Sequence, residues 1–240
     1  MGHMAAPDAE RPAMITSLPF SAVIFDLDGT LVDSERVALE AGRRAFLRFG
    51  ETVAPGFLEG LIGRDRNAVA HALRDTYGHL DQPMLLQAIR EESIALREAR
   101  GLPLKPGVVL LIEEIAALGL PMAVATSSGV EEAERKLTLA GLRAHFTAVI
   151  AFDHVENPKP APDPYLLAAE ALGHAPELCL AFEDSDTGAA SARAAGMRVV
   201  QVPDMLPSDG AHAHHLATSL IEGALAAGLP LRKSAEDSSA

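Results

Sequence analysis

The chain has 240 residues, 48% of them hydrophobic and 22% charged, with a net charge of −13. That length and balance fit one globular domain, or one carrying an insert, and exclude a disordered chain. The acid excess speaks against non-specific nucleic-acid binding, whose footprint is clustered Lys and Arg, and it requires any phosphate site to hold local positive charge from a metal, Lys or Arg.

A single cysteine, Cys179, rules out an intramolecular disulfide and a multi-cysteine metal site. Its apolar setting, Leu178-Cys179-Leu180-Ala181-Phe182, predicts a buried, inert thiol. No apolar run approaches the roughly 20 residues of a bilayer span, so no membrane partner is expected. Met1-Gly2-His3-Met4 reads as a cloning remnant, and with no secretory pattern after it a cytoplasmic setting is the expectation.

Residues 1–18, mixed and Pro-containing, read as a flexible arm. Ala22 to Phe25 is an apolar run that predicts a buried strand. Asp26 and Asp28 follow, one residue apart, and extended geometry turns both carboxylates the same way at the strand's C-terminal end. Gly29 permits the turn behind them. An Asp-x-Asp pair by itself is also what a polar turn looks like. From Ser34 to Phe49 the pattern is helical, with Val37, Ala41, Ala45 and Phe49 spaced four apart. Two more helices are expected over 67–77 and 84–99, the latter with Pro83 at its start and Gly101 as its stop. Residues 33–104 therefore read as an all-helical insert. Within it, Arg64 and Arg66 precede a helix and balance between surface charges and contacts to a substrate.

After Lys105-Pro106-Gly107 strands and helices alternate. Helices are expected over 108–118, 130–140, 164–172 and 187–195, and strands over 122–125, 148–152, 178–182 and 198–202. Asp163 is the expected N-cap of the third of these helices. The tail carries one more helical stretch near 217–227, and His212, His214 and His215 read as surface residues. Such alternation predicts an α/β fold: a Rossmann-like parallel sheet with helices on both faces, built from 19–32 and 105–230, with 231–240 as a flexible tail. Ligands of such sheets bind beyond the carboxyl ends of the strands. Polar residues gather there. Thr126, Ser127 and Ser128 follow the second strand, Lys159 lies between two prolines after the third, and Glu183-Asp184 follow the fourth. Each has an ordinary alternative as a turn, a surface charge or a helix cap. Together, several carboxylates on one sheet edge call for a hard cation with oxygen ligands, and Mg²⁺ fits.

The string Asp26-Leu27-Asp28-Gly29-Thr30-Leu31-Val32-Asp33-Ser34 resembles the first motif of the haloacid dehalogenase-like superfamily. Thr126, Lys159 and Glu183-Asp184 match its later motifs, and Lys159-Pro160-Ala161-Pro162-Asp163-Pro164-Tyr165 is similar to the branch of beta-phosphoglucomutase and phosphoglycolate phosphatase-like enzymes. The resemblance spans about 21–202 and implies a phosphatase with a helical cap. It implies Asp26 as nucleophile and Asp28 as general acid and base. Thr126, Ser127 and Lys159 would hold the phosphoryl oxygens. Mg²⁺ would sit on Asp26, the backbone carbonyl of Asp28 and Asp184, with Glu183 close by. The partner is a small phosphorylated metabolite. Dehalogenases of the superfamily do not depend on an acid at the position of Asp28, which argues against C–halogen cleavage. Mutase-like members typically carry Asp-[Ser/Thr]-x-x-x-His after the first motif, and Ala38 stands where that histidine would fall. Hydrolysis is the leading expectation and a phosphomutase the alternative.

Overall fold

The computed structural model describes residues 18–62 and 66–232, the side chains of Arg66 and Asn67 excepted. Strands β1 (Ala22–Phe25), β2 (Met122–Ala125), β3 (Ala148–Ile150), β4 (Cys179–Glu183), β5 (Arg198–Gln201) and β6 (His215–Leu216) form one sheet in the order β3-β2-β1-β4-β5-β6. Every neighbouring pair is parallel. The chain winds outward from β1 on one side through β2 and β3, then returns to β4 on the other. The direction of winding therefore reverses beside β1, the place where such sheets open a crevice at their carboxyl edge.

The period-two alternation of β1 builds a different core on each face. Val23 and Phe25 join Phe182, Leu111, Ile112, Ile115 and Leu220 on one side. Here α4 (Val108–Ala117), α5 (Val130–Leu139) and α8 (Leu220–Ala227) cover the sheet. Phe25 stacks on Phe182 with ring centroids 5.0 Å apart. Ala22 and Ile24 face the other way, among Ala123, Ala125, Ala181 and the alanines of α6 (Asp163–Leu172) and α7 (Asp186–Ala194). Small residues on both partners let these helices approach the sheet closely. Cys179 lies buried in this second core, its thiol pushed up to about 11 by burial and the nearby Glu177.

Helices α1 (Ser34–Arg48), α2 (Arg66–Tyr77) and α3 (Gln82–Arg100) form the insert around a core of their own. Asp81 caps α3 through Met84 N at 3.0 Å, with Pro83 in the first turn. The stripe buried by α1 is Leu39, Ala41, Gly42, Ala45 and Phe46, a rotation of the four-residue spacing expected from the sequence. Phe46 sets that rotation by packing edge-on against Tyr77 at 4.7 Å. The two connections to the sheet lie side by side: Val32 bridges Leu104, and Asp33 N donates to Pro103 O at 2.8 Å. No helix among the described residues is long and apolar enough to cross a membrane.

Several boundaries depart from the sequence reading. Asp163 is not an N-cap; α6 starts at Asp163 with Pro162 before it, and the Asp163 carboxylate accepts from Asn157 Nδ2 at 2.9 Å. The tail helix starts at Leu220, and β6 precedes it. Strand β4 runs one residue further than expected and takes in Glu183, fully buried.

Candidate active site

Hydrogen bonding of Asp26 N to Phe182 O at 2.9 Å carries the β1–β4 ladder one residue past the strand. Asp26 is thereby fixed at the sheet edge with its side chain almost buried. The chain then turns sharply, with Gly29 N donating to Val32 O at 2.9 Å. Gly29 has φ +87°, and a Cβ there would lie 2.1 Å from Asp184 Oδ2. Both facts demand glycine, the first because L side chains avoid that region.

Lys159 Nζ donates to Asp26 Oδ1 at 2.7 Å and to Glu183 Oε1 at 2.6 Å. Glu183 Oε1 also accepts from Tyr165 OH at 2.8 Å. Its second oxygen accepts from Asp184 N, Ser185 N and Ser185 Oγ at 3.0–3.2 Å. Five donors thus occupy Glu183, which anchors Lys159. A Cβ on Gly188 would stand 1.7 Å from Glu183 Oε1, so the start of α7 must be bare to admit this carboxylate. Burial pushes Asp26 up to about 8, a rise that Lys159 opposes and Glu183 reinforces. Lys159 is raised despite its burial, because Asp26 and Glu183 outweigh desolvation.

Asp28 belongs to a second constellation. Lys136 Nζ lies 2.6 and 2.8 Å from its two oxygens, Ser128 Oγ donates at 2.7 Å, and Ser34 Oγ donates as well. Burial would raise this carboxyl, yet Lys136 and the two hydroxyls hold it below its ordinary value. Lys136 was not singled out in the sequence. Its signal was a charge on the buried face of α5, in line with Ala133 and Leu137; a buried lysine must find a carboxylate. Ser34 and Tyr165 enter the sequence reading only as motif positions, and Ser128, expected in the turn after the second strand, is turned to Asp28.

Asp26, Asp28, Thr126, Ser127, Lys159 and Asp184 line one cleft of about 170 Å³, joined by Glu35 from α1 and by the start of α7. Thr126 is buried, and its Oγ1 accepts from Ser128 N at 3.0 Å, shaping the turn that presents Ser127. Arg64 lies outside the described residues, as does the side chain of Arg66.

Asp26, Glu183 and Asp184 each offer a ligand atom within 4.8 Å of the others. Burial, then Asp26 and Glu183, push Asp184 well above the ordinary carboxylate range. Oxygen donors crowded beyond what Lys159 neutralises, with Gly29 leaving room beside Asp184, suit a hard divalent cation. Unfolded, these carboxyls ionise near pH 4; folded and metal-free, Asp26 keeps its proton to about 8. The folded chain then binds more protons than the unfolded chain, so stability falls as pH rises across that window. Mg²⁺ is expected to raise the melting temperature more near pH 8 than near pH 5, measured against EDTA-treated protein.

Residues 23–202 match the haloacid dehalogenase-like hydrolase family. Fructose-1-phosphate phosphatase YqaB of Escherichia coli is 36% identical over 76% of this chain and 96% of its own length. Hexitol phosphatase A of the same organism is 35% identical over 75% of this chain and 81% of its own. The structure of a putative beta-phosphoglucomutase from Thermotoga maritima superposes with a TM-score of 0.74 at 29% identity, covering 82% of this chain and 94% of that one. A hydrolase of the same family from Deinococcus radiodurans, solved with bound phosphate and sodium, gives 0.74 at 29% identity, covering 88% and 98%. With the motif residues gathered at the carboxyl edge of a parallel sheet, this chain belongs to the haloacid dehalogenase-like hydrolases, as a phosphatase of the beta-phosphoglucomutase and phosphoglycolate phosphatase-like branch.

Proposed function

We propose that this protein hydrolyses a small phosphomonoester, a sugar phosphate or similar metabolite, through a phosphoryl group carried on Asp26, in a cytoplasmic setting. The observation that carries the reading is the Lys159–Asp26 contact at 2.7 Å, inside a cleft that also holds Asp28, Thr126, Ser127 and Asp184. An Asp26 oxygen attacks phosphorus, the P–O bond to the alcohol breaks, and the departing oxygen takes a proton from Asp28, which must enter this step in its acid form although Lys136 favours the ionised one. Water then attacks the aspartyl-phosphate, Asp28 takes its proton, and the bond to Asp26 breaks to release phosphate. Lys159, Thr126 and Ser127 hold the equatorial oxygens, and Lys159 offsets repulsion between Asp26 and the dianion. Mg²⁺ would be held by Asp26, Asp184 and the backbone carbonyl of Asp28, with Glu183 behind them, and would supply further positive charge to the phosphoryl oxygens. Arg64 and Arg66 of the insert are proposed to meet an anionic or polyhydroxyl group of the substrate.

The test is phosphate release from a panel of phosphomonoesters with Mg²⁺, run beside Asp26→Asn. Release that survives this substitution would overturn the reading. Lys136 adds a second expectation. It keeps Asp28 ionised, the form needed to take the proton of water. Lys136→Met is expected to lower kcat by about 10- to 100-fold, within what general acid–base groups contribute. Phosphorylated protein should accumulate, as acid quenching during turnover would reveal. An unchanged kcat would remove Lys136 from the mechanism.

A further inference from the structure

Lys136 has more acceptors around it than Asp28 alone. Its Nζ also donates to Ser128 Oγ at 2.9 Å and lies 3.4 Å from Glu132 Oε1, one turn earlier on α5. The same Glu132 oxygen accepts from Arg97 Nη1 at 3.2 Å, and Arg97 belongs to α3 of the insert. Arg97 is buried, and α3 holds its guanidinium from behind: Nε donates to Ser93 O at 3.1 Å and Nη2 to Ser93 Oγ at 2.6 Å. Burial would raise Glu132, yet Lys136 and Arg97 hold it below its ordinary value. The chain Arg97–Glu132–Lys136–Asp28 thus alternates in sign from the insert to the cleft. Among the described residues, Arg97–Glu132 is the only ion pair between a helix of the insert and a helix that covers the sheet. No described side chain of α3 joins either core of the sheet. A groove of about 810 Å³ runs between the two helices, with Arg90 and Arg97 on one wall and Val130 and Glu132 on the other. Here α3 and α5 meet through charge and not through an apolar seam.

We propose that Glu132 and Arg97 are positioning residues of the phosphatase reaction: Glu132 aims the Lys136 ammonium at Asp28, and Arg97 holds Glu132 in place from the insert. The inference rests on the phosphatase reading above and extends it to two residues that do not line the cleft. An ammonium carries three protons at the end of a flexible four-carbon stem, so aiming one of them requires acceptors for the others. Ser128 and Glu132 are those acceptors. Without Glu132, the Lys136 Nζ keeps Ser128 and Asp28 and is free to tilt between them. Without Arg97, Glu132 is free to turn into solvent, since 43% of its side chain is already exposed. Asp28 is the group that must meet both the departing oxygen and the attacking water. A small displacement of its partner is therefore felt in the rate and not in the binding of phosphate.

The test measures kcat with p-nitrophenyl phosphate and Mg²⁺, the fraction of protein phosphorylated on acid quenching, and calorimetric binding of inorganic phosphate. This ester's leaving group needs little help from an acid, so the attack of water, with Asp28 as base, limits turnover. Glu132→Ala and Arg97→Met are each expected to lower kcat about 5-fold, the effect of a small misplacement near the reacting atoms. Each should raise the phosphorylated fraction and leave phosphate affinity unchanged. Glu132→Gln keeps an oxygen for both Lys136 and Arg97 and should recover most of kcat. In a Lys136→Met background neither Glu132→Ala nor Arg97→Met should cost anything further, because both act through that lysine. Glu132 is a half-exposed helical position where alanine is well tolerated, so the proposal does not hang on how the buried Arg97→Met variant folds. An unchanged kcat in Glu132→Ala, a loss that multiplies with Lys136→Met, or a lower kcat with less phosphorylated protein would overturn the proposal. Phosphate release that survives Asp26→Asn, or no release from any of these proteins, would overturn the phosphatase reading and this inference with it.

Discussion

Asp26→Asn is expected to abolish phosphate release, a loss of about 10⁴-fold or more, the scale on which removing a nucleophile acts. The amide matches the carboxylate in shape but cannot displace the alcohol. Folding should not suffer. Asp26 is buried beside Glu183 and Asp184, and its raised value near 8 says that the ionised form is disfavoured where it sits. Lys159 keeps Glu183 Oε1 at 2.6 Å as its remaining partner. A metal-free Asp26→Asn protein should therefore melt no lower than the parent at pH 8, where the parent's third carboxyl is being forced to ionise. Phosphate release and a thermal melt on the same sample separate the two effects. A variant that is inactive because it is unfolded would contradict this account of the site's electrostatics.

Lys159→Met carries the second largest effect, and here stability and activity fall together. Lys159 is buried and lies within hydrogen-bond distance of both Asp26 and Glu183. Deleting it leaves Glu183 buried without its ion-pair partner, next to the carboxyls of Asp26 and Asp184 that already favour their protonated forms. Breaking a buried ion pair by removing one partner costs about 3–5 kcal/mol, and denaturant unfolding of metal-free protein at neutral pH should show a loss of that order. Adding Asp26→Asn to Lys159→Met should recover part of it, because the two substitutions act on one network and are not additive. Mg²⁺ should also recover part of it, by taking over neutralisation of Asp26 and Asp184. Full stability in the single variant would mean that no unpaired buried charge is left behind and that the lysine matters only for binding phosphate.

Much of this was legible in the sequence, because strong local patterns and global topology agree. The apolar run Ala22 to Phe25 is central in the sheet, and its alternation separates two cores that differ in side-chain size. The glycines before and after helices, the Pro at the start of α3 and the polar residues after β1, β2 and β4 all sit as their chemistry suggests. Cys179 is buried as its apolar neighbours imply.

What escaped notice depends on contacts between segments far apart in the chain. Strand β6 is two residues long, too short to show any alternation, and exists because Ala217 N and His214 N bond the backbone of β5. The face that α1 buries is chosen by Tyr77 and Leu58, residues its own periodicity cannot sense. Asp163 reads locally as a cap, yet Asn157 six residues earlier draws its carboxylate away. Lys136 lies 108 residues from Asp28 and meets it only because α5 packs on the face of the sheet that Phe25 also lines. Glu183 reads as one of a pair of loop acids, and only the register of β4 shows that it is buried and spent on Lys159.

The central claim is that Asp26 carries the phosphoryl group between the two halves of the reaction. The most direct measurement is acid quenching of the protein during turnover of a hydrolysed phosphomonoester with Mg²⁺, followed by peptide mass spectrometry. The account predicts one phosphoryl group on the peptide containing Asp26, present in the parent, more abundant in Lys136→Met and absent in Asp26→Asn. Turnover with no phosphorylated peptide in either the parent or Lys136→Met, or a phosphoryl group on another residue, would contradict it.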